Sequence, residues 1–110
     1  MKKSKWYSWE DIAKNYYLSK WYSLLAQNYT IKWWEIDLIF ETAENLIFVE
    51  VKVIDYIDDI FDYITKKKLK FLSKTIISYL SANPSFKDYS LDVVFIKNSD
   101  IFEVYENVSI

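Results

Sequence analysis

Two strand-like runs separated by a short polar loop constrain the fold of this chain more than any other feature. Residues 35–53 are EIDLIFETAENLIFVEVKV, and the runs on either side of TAEN follow a period of two. This period is typical of β-strands, and a four-residue loop at Thr42–Asn45 is a common hairpin length. We therefore predict an antiparallel hairpin in which Ile39 lies opposite Phe48 and Leu38 lies opposite Val49.

This register gives the hairpin one apolar side and one charged side. On the charged side Asp37 is expected opposite Glu50, and Glu35 opposite Lys52. Like charges on opposed residues destabilise a sheet, because their Cβ atoms are only about 5 Å apart. The apolar side is expected to pack into a core and comprises Ile36, Leu38, Phe40, Ile47, Val49 and Val51.

A bound divalent cation would convert the repulsion on the charged side into coordination. Carboxylate oxygens are the ligands that Mg²⁺ and Mn²⁺ prefer. Lys52 follows Glu50 by two residues and so shares its face of the strand. The pattern predicts a Mg²⁺ or Mn²⁺ site at Asp37 and Glu50, with Lys52 beside it and Glu35 pairing with Lys52 to hold it in place.

Composition excludes several other kinds of site. The 110-residue chain has no Cys and no His, which rules out disulfides, thiolate chemistry and imidazole catalysis. Its apolar fraction of 52% can form the core of a single domain, residues 1–110. No apolar run approaches the roughly 20 residues of a membrane span, and the start MKKSKWYS does not resemble a secretory signal. We therefore expect a cytoplasmic protein.

Five ordered blocks of the sequence resemble one protein family. They are EDIA at 10–13, YLSK at 17–20, EIDLI at 35–39, FVEVK at 48–52 and LDVV at 91–94. In this order they resemble the YraN family, whose members are predicted to be endonuclease-like and related to Holliday junction resolvases. Asp37 followed by Glu50-x-Lys52 resembles the D…(D/E)-x-K core of the PD-(D/E)XK nucleases. The resemblance covers about residues 8–94 and implies a restriction-endonuclease-like α/β fold.

The resemblance also implies roles for individual residues. Asp37 and Glu50 would hold the metal, with the Val51 carbonyl as a third protein ligand, and Lys52 would orient the attacking water or neutralise developing charge. Glu10, in the first turn of the first helix, would complete the site. The alternative for Glu10 is a carboxylate that only complements the helix dipole.

Cap, turn and periodicity signals place the elements in the order α-β-β-β-α-β-β. This order predicts a mixed central β-sheet flanked by helices, with the second helix crossing over between the third and fourth strands. Tyr22, Leu24 and Ala26 are expected on one face of the first strand. The predicted bounds are a helix after the Ser8 cap to about residue 20, strands at 22–31 and within 35–53, a helix from the Thr65 cap to about residue 80, and strands at 91–97 and 101–105.

Two charged clusters lie outside the hairpin. A stripe of lysines on the second helix is either a solvated face or a set of DNA phosphate contacts. A group of aspartates before that helix is either a solvated face or a second metal site. The stripe comprises Lys67, Lys70 and Lys74, and the group comprises Asp55, Asp58, Asp59 and Asp62.

Tryptophan and glycine usage is unusual. The chain has no Gly and five Trp, and the tryptophans fall at or near positions where the family carries Gly. Either tryptophan has replaced glycine there, or the gene comes from a lineage that uses UGA for glycine and was translated with UGA as tryptophan. The former would allow the tryptophans to stack on unpaired bases. They are Trp6, Trp9, Trp21, Trp33 and Trp34.

Two functions remain open. The first is a metal-dependent endonuclease acting on DNA, including branched or structured DNA, with a homodimer as in junction resolvases. The alternative is a catalytically inactive module that keeps the nuclease fold for binding nucleic acid or protein. Its support is a net charge of −2 and the dipeptide Val53-Ile54, which stands where the family usually has Thr-Arg after the lysine.

Overall fold

The structure, a computed structural model, describes residues 8–32, 34–55 and 60–110. Within these ranges two helices and five strands follow in the predicted order α-β-β-β-α-β-β, and a 3₁₀ turn at Ile60–Tyr63 precedes the second helix. The elements are α1 Trp9–Leu18, β1 Ser23–Ile31, β2 Trp34–Glu41, β3 Asn45–Val53, α2 Lys66–Ala82, β4 Asp88–Lys97 and β5 Asp100–Tyr105.

Both helices begin at the predicted caps. The Ser8 hydroxyl accepts a hydrogen bond from the Asp11 N–H at 3.1 Å, and the Asp11 carboxylate accepts one from the Ser8 N–H at 3.2 Å. The Thr65 hydroxyl accepts a hydrogen bond from the Lys68 N–H at 3.1 Å. These contacts satisfy N–H groups that have no partner inside the helix and so fix where each helix starts. None of the described helices is long and apolar enough to cross a membrane.

The five strands form one mixed sheet in the order β1-β2-β3-β4-β5. β3 and β4 are parallel and are joined by α2, which confirms the predicted crossover, and the other neighbours are antiparallel. In the hairpin Leu38 pairs with Val49 and Ile39 with Phe48, as predicted. The register of the hairpin is therefore the one that the sequence pattern indicates.

The two faces of the sheet carry separate cores. Alternate residues of β3 point to opposite faces, so Phe48 packs with α2 residues such as Leu72, whereas Val49 packs with Ala13 and Tyr17 of α1. Each helix therefore covers one face of the sheet, which gives the flanked α/β architecture that the order of elements predicts.

Two predicted face assignments, those of Ala26 and Ile36, are wrong. Ala26 packs on the α2 face although Leu24 packs on the α1 face, because the register of β1 shifts between them. Ile36 likewise packs on the α2 face, opposite to Leu38. Between Ile36 and Leu38 lies Asp37, and Asn28 of the neighbouring strand has a positive φ of 53°. The positive φ interrupts the pleat of β1 at this point, and Ile36 lies beyond the last β2–β3 pair, Leu38 and Val49.

Trp21 closes α1 in a conformation that glycine ordinarily adopts. Its φ is 67°, and its side chain is 92% exposed. The Trp21 N–H donates to the Leu18 carbonyl at 3.0 Å, and the Tyr22 N–H donates to the Tyr17 carbonyl at 3.3 Å. This is the Schellman pattern, in which the left-handed residue is usually Gly. The backbone at position 21 therefore favours the glycine interpretation. Trp6 and Trp33 lie outside the described residues.

Candidate active site

The hairpin opens at the end away from its loop. The paired register of β2 and β3 ends at Leu38 and Val49, and beyond it the Val51 N–H donates to the Asp37 carboxylate at 2.7 Å. A side-chain oxygen thus takes the place of the backbone acceptor that a continuing ladder would offer. Asp37 and Glu50 come together, as predicted, but across an opened hairpin rather than as a ladder pair.

Three carboxylates from two elements meet at this opening. Oxygens of Glu10, Glu35 and Asp37 all lie within 4.8 Å of one another. Partial burial raises the pKa of Glu10, and the neighbouring Asp37 and Glu35 raise it further. Burial and then Asp37 raise the pKa of Glu35. The capping box of α1 fixes the helix start at Ser8 and thereby delivers Glu10 from its first turn to the strand carboxylates.

Asn28 joins this group, which the sequence reasoning missed. With its amide nitrogen facing the carboxylates, Asn28 donates to Glu35 at 3.0 Å and to Glu10 at 3.0 Å. Its left-handed backbone conformation places it there, and Asn tolerates that conformation better than most residues. An Asn within a strand-like run was the only available signal, and it is a weak one.

Glu50 is buried beside this group with one oxygen unsatisfied. The residue is 8% exposed, and within the described ranges its Oε1 has no hydrogen-bond donor. Burial raises its pKa most, the adjacent Asp37 raises it further, and Lys68 and Lys52 oppose the rise. A buried carboxylate oxygen that faces another carboxylate is costly without a cation or proton between them. Among the described residues the carboxylates close enough to share an ion are Glu10, Glu35 and Asp37, and Glu50 adjoins this group through Asp37. Such a group of carboxylate oxygens fits a hard divalent cation.

Two lysines converge on the carboxylates. Lys52 Nζ lies 5.3 Å from the centroid of the Tyr63 ring, and Lys68 Nζ lies 5.7 Å from the same centroid. Lys68 Nζ is also 3.9 Å from Glu50 Oε2. Burial and then the charge of Lys52 lower the pKa of Lys68. Lys68 was not predicted, because the sequence pattern drew attention to the exposed stripe on the same helix.

The remaining predicted residues occupy less central positions. The predicted ion pair between Glu35 and Lys52 does not form among the described residues. Glu35 lies instead with the other carboxylates and Asn28. Val51 reaches Asp37 through its N–H, whereas a role for its carbonyl stays a prediction. The stripe residues Lys67, Lys70 and Lys74 are all exposed, and a role in DNA contact stays a prediction. Of the aspartate group, Asp55 and Asp62 are exposed, and Asp58 and Asp59 lie outside the described residues.

A cleft leads from the surface to the buried carboxylate. Its volume is about 440 Å³, and Thr30, Glu35 and Glu50 are among its lining residues. Trp34 forms one wall and stacks on Phe71 of α2, with ring centroids 5.2 Å apart and planes 10° apart. Trp34 is thus a packing residue, which limits its use as a stacking platform for bases.

Comparison with known proteins identifies relatives along nearly the whole chain. The profile of the Uncharacterised protein family UPF0102 matches residues 9–96. A UPF0102 protein of Sulfurihydrogenibium is 38% identical over 98 residues, which cover 86% of this chain and 85% of the relative. A UPF0102 protein of Campylobacter jejuni is 33% identical over 100 residues, covering 91% and 88%. One from Vibrio parahaemolyticus is 37% identical over 95 residues, covering 83% and 78%.

Proposed function

The chain belongs to the UPF0102 family, which is the YraN family, and we propose that it is a divalent-metal-dependent endonuclease acting on DNA. Branched or structured DNA is included among its proposed substrates. The observation that carries the proposal is Glu50: it is buried, its Oε1 has no donor among the described residues, and Asp37 lies against it. Such an arrangement costs free energy in the metal-free protein, and a divalent cation would stabilise it.

In this proposal Asp37 and Glu50 would hold Mg²⁺ or Mn²⁺, and the Val51 carbonyl and Glu10 would complete the set of ligands. When bound, the ion supplies Lewis acidity toward a phosphoryl oxygen and lowers the pKa of a water. The Val51 N–H orients Asp37 through its 2.7 Å hydrogen bond. Lys52 neutralises charge that develops on the phosphate or orients the attacking water.

Asn28 and Glu35 support this site from β1 and β2. With its amide nitrogen turned toward the carboxylates, Asn28 donates to both Glu35 and Glu10 at 3.0 Å and would thereby orient two carboxylates at once. The open cleft beside Trp34 gives a DNA strand access to Glu50. The net charge of −2 arises in part from this carboxylate cluster, and a bound cation would offset that part.

A nuclease assay on linear, nicked and four-way-junction DNA tests the proposal. We expect cleavage that requires added Mg²⁺ or Mn²⁺ and that is lost in Asp37→Asn, which keeps the size of the side chain but removes its charge. Asp88→Asn, an exposed substitution of the same kind, is the matched control. Cleavage by Asp37→Asn at the wild-type rate would refute the site.

A metal titration followed by thermal melting separates the nuclease from the inactive binding module. A ligand at 100 times its Kd stabilises the folded state by about 2.7 kcal/mol. The nuclease should therefore melt at a higher temperature as Mg²⁺ or Mn²⁺ is added, and Asp37→Asn should not. A wild-type protein that binds DNA but neither melts later with metal nor cleaves would establish the binding module instead.

A further inference from the structure

Lys68 is a partly buried lysine on a helix whose other nearby lysines are exposed. Its side chain is 16% exposed, and that of Glu50, its carboxylate neighbour, is 11% exposed. The 3.9 Å between Lys68 Nζ and Glu50 Oε2 is longer than a hydrogen bond. The rings of Trp34 and Tyr63 lie 5.9 Å and 5.7 Å from the same nitrogen. A loosely held ammonium in such a place needs a better anionic partner than Glu50 alone supplies.

Lys52 lies near the same aromatic ring as Lys68. Its Nζ lies 5.3 Å from the Tyr63 ring that Lys68 also approaches. Two neighbouring ammonium groups repel each other, and an anion between them removes that repulsion. The carboxyl groups of Asp37 and Glu50 lie beside these lysines in the metal-free protein. A divalent cation at those carboxylates would compete with Lys68 for Glu50, and the competition must be reciprocal.

We propose that Lys68 is a second phosphate-binding lysine of this site, which holds Glu50 in the metal-free protein and turns to a phosphate of the nucleic acid once a divalent cation takes Glu50. The inference rests on the proposed function and adds to it the order in which the cation and the phosphate bind. The cation binds first and releases Lys68 from Glu50, and the phosphate then binds between Lys68 and Lys52. The helix start at Thr65 keeps Lys68 within reach of both partners.

Lys68→Met tests the proposal, because methionine keeps an unbranched apolar stem and lacks only the charge. We expect Lys68→Met to bind Ca²⁺ about tenfold more tightly than wild type in calorimetry, since a unit charge near a divalent ion has an effect of this size even in water. Lys66→Met, at an exposed lysine of the same helix that lies outside the stripe, is the matched control and should bind Ca²⁺ as wild type does.

The same variants are then compared for DNA affinity in Ca²⁺, with a four-way junction followed by fluorescence anisotropy. Lys68→Met should bind the junction about tenfold more weakly than Lys66→Met, the effect expected when a charge-assisted hydrogen bond is lost. In cleavage assays with Mn²⁺, the KM of Lys68→Met for the junction should rise in parallel with its loss of DNA affinity. Thermal melts establish that both variants fold, and Lys68→Gln replaces Lys68→Met if the latter does not.

The outcomes distinguish this inference from the nuclease proposal. Wild-type protein that binds Ca²⁺ and cleaves in Mn²⁺, together with a Lys68→Met variant of unchanged Ca²⁺ or DNA affinity, overturns the role of Lys68 alone. Wild-type protein that binds no divalent cation and cleaves nothing overturns both.

Discussion

Two carboxylates are buried in neighbouring strands of the sheet, and they differ in how they are satisfied. Asp92 of β4 accepts hydrogen bonds from the Tyr17 hydroxyl at 2.7 Å and from the Asn107 N–H at 2.9 Å. Glu50 of β3 has an Oε1 without a donor in the described part of the chain, and its Oε2 faces Lys68 at 3.9 Å. Asp92 therefore has its hydrogen-bond donors within the protein, whereas Glu50 is available to bind a ligand.

The causes of their pKa shifts show the same difference. Burial raises the pKa of both residues. At Asp92 the next causes are its hydrogen bonds with Asn107 and Tyr17, which lower the pKa and stabilise the charged form. At Glu50 the next cause is Asp37, which raises the pKa again. A buried acid that serves the fold is surrounded by donors, and one that serves a cation is placed beside another acid.

Glu50→Gln should have the largest effect of any single change on activity. Removing one charged ligand is expected to lower metal-dependent cleavage by about 10³-fold or more, equivalent to about 4 kcal/mol. The metal-free protein should be as stable as wild type or more so, because the substitution removes a buried carboxyl group that is costly to ionise beside Asp37. Cleavage assays and urea unfolding measure the two effects. Glu44→Gln, at the exposed loop of the same hairpin, is the control, and equal activity in the two variants would contradict the site.

Asp92→Ala should have the opposite effect to Glu50→Gln, with lower stability and retained activity. Leaving the Tyr17 hydroxyl and the Asn107 N–H without their acceptor is expected to lower the free energy of unfolding by about 3 kcal/mol. Cleavage per folded molecule should be retained. Urea unfolding of Asp92→Ala, Tyr17→Phe and the double variant measures how much of the loss comes from this pair. Unchanged stability in Asp92→Ala would show that its hydrogen bonds are not what holds α1 to the sheet.

The pH dependence of stability should sharpen the comparison. Because the pKa of Glu50 is raised above its ordinary value of 4.5, the folded protein retains a proton there that the unfolded chain releases. The free energy of unfolding of the metal-free protein should therefore be greatest below pH 4.5 with respect to this group and should fall as pH rises, by at most about 1.4 kcal/mol per unit.

Denaturant unfolding of wild type and Glu50→Gln at several pH values measures this slope. Glu50→Gln cannot titrate at this position, so its stability should fall less with rising pH. Added Mg²⁺ should displace the proton and flatten the wild-type slope. Parallel pH profiles for the two proteins would mean that Glu50 is already ionised in the metal-free fold.

Trp21→Gly should give the smallest effect, a stabilisation of about 1 kcal/mol, because a left-handed residue with a Cβ is strained and this side chain buries little surface. Trp21→Ala is the control, since alanine keeps the Cβ and should gain nothing. Thermal melts compare the three proteins. Mass spectrometry of the protein from its natural source would decide the codon question, and tryptophan at position 21 would end the glycine interpretation.

The sequence by itself determined the local features of this protein. The hairpin register, both helix caps and the order of the elements follow from residues that are near one another in the chain. Asp37, Glu50 and Lys52 could be grouped for the same reason, because they lie in one hairpin. These features depend on period, on turn chemistry and on capping hydrogen bonds, which a sequence displays directly.

Only the tertiary structure decided which buried carboxylate keeps an oxygen without a donor among the described residues, and which lysine approaches it. Glu50 and Asp92 both stand in apolar strand runs, and the difference arises because α1 brings Tyr17 to Asp92 whereas α2 brings Lys68 to Glu50. Asn28 enters the site through a positive φ in a neighbouring strand. Each of these contacts joins residues far apart in the chain, so it forms only when strand pairing and helix packing have placed both partners.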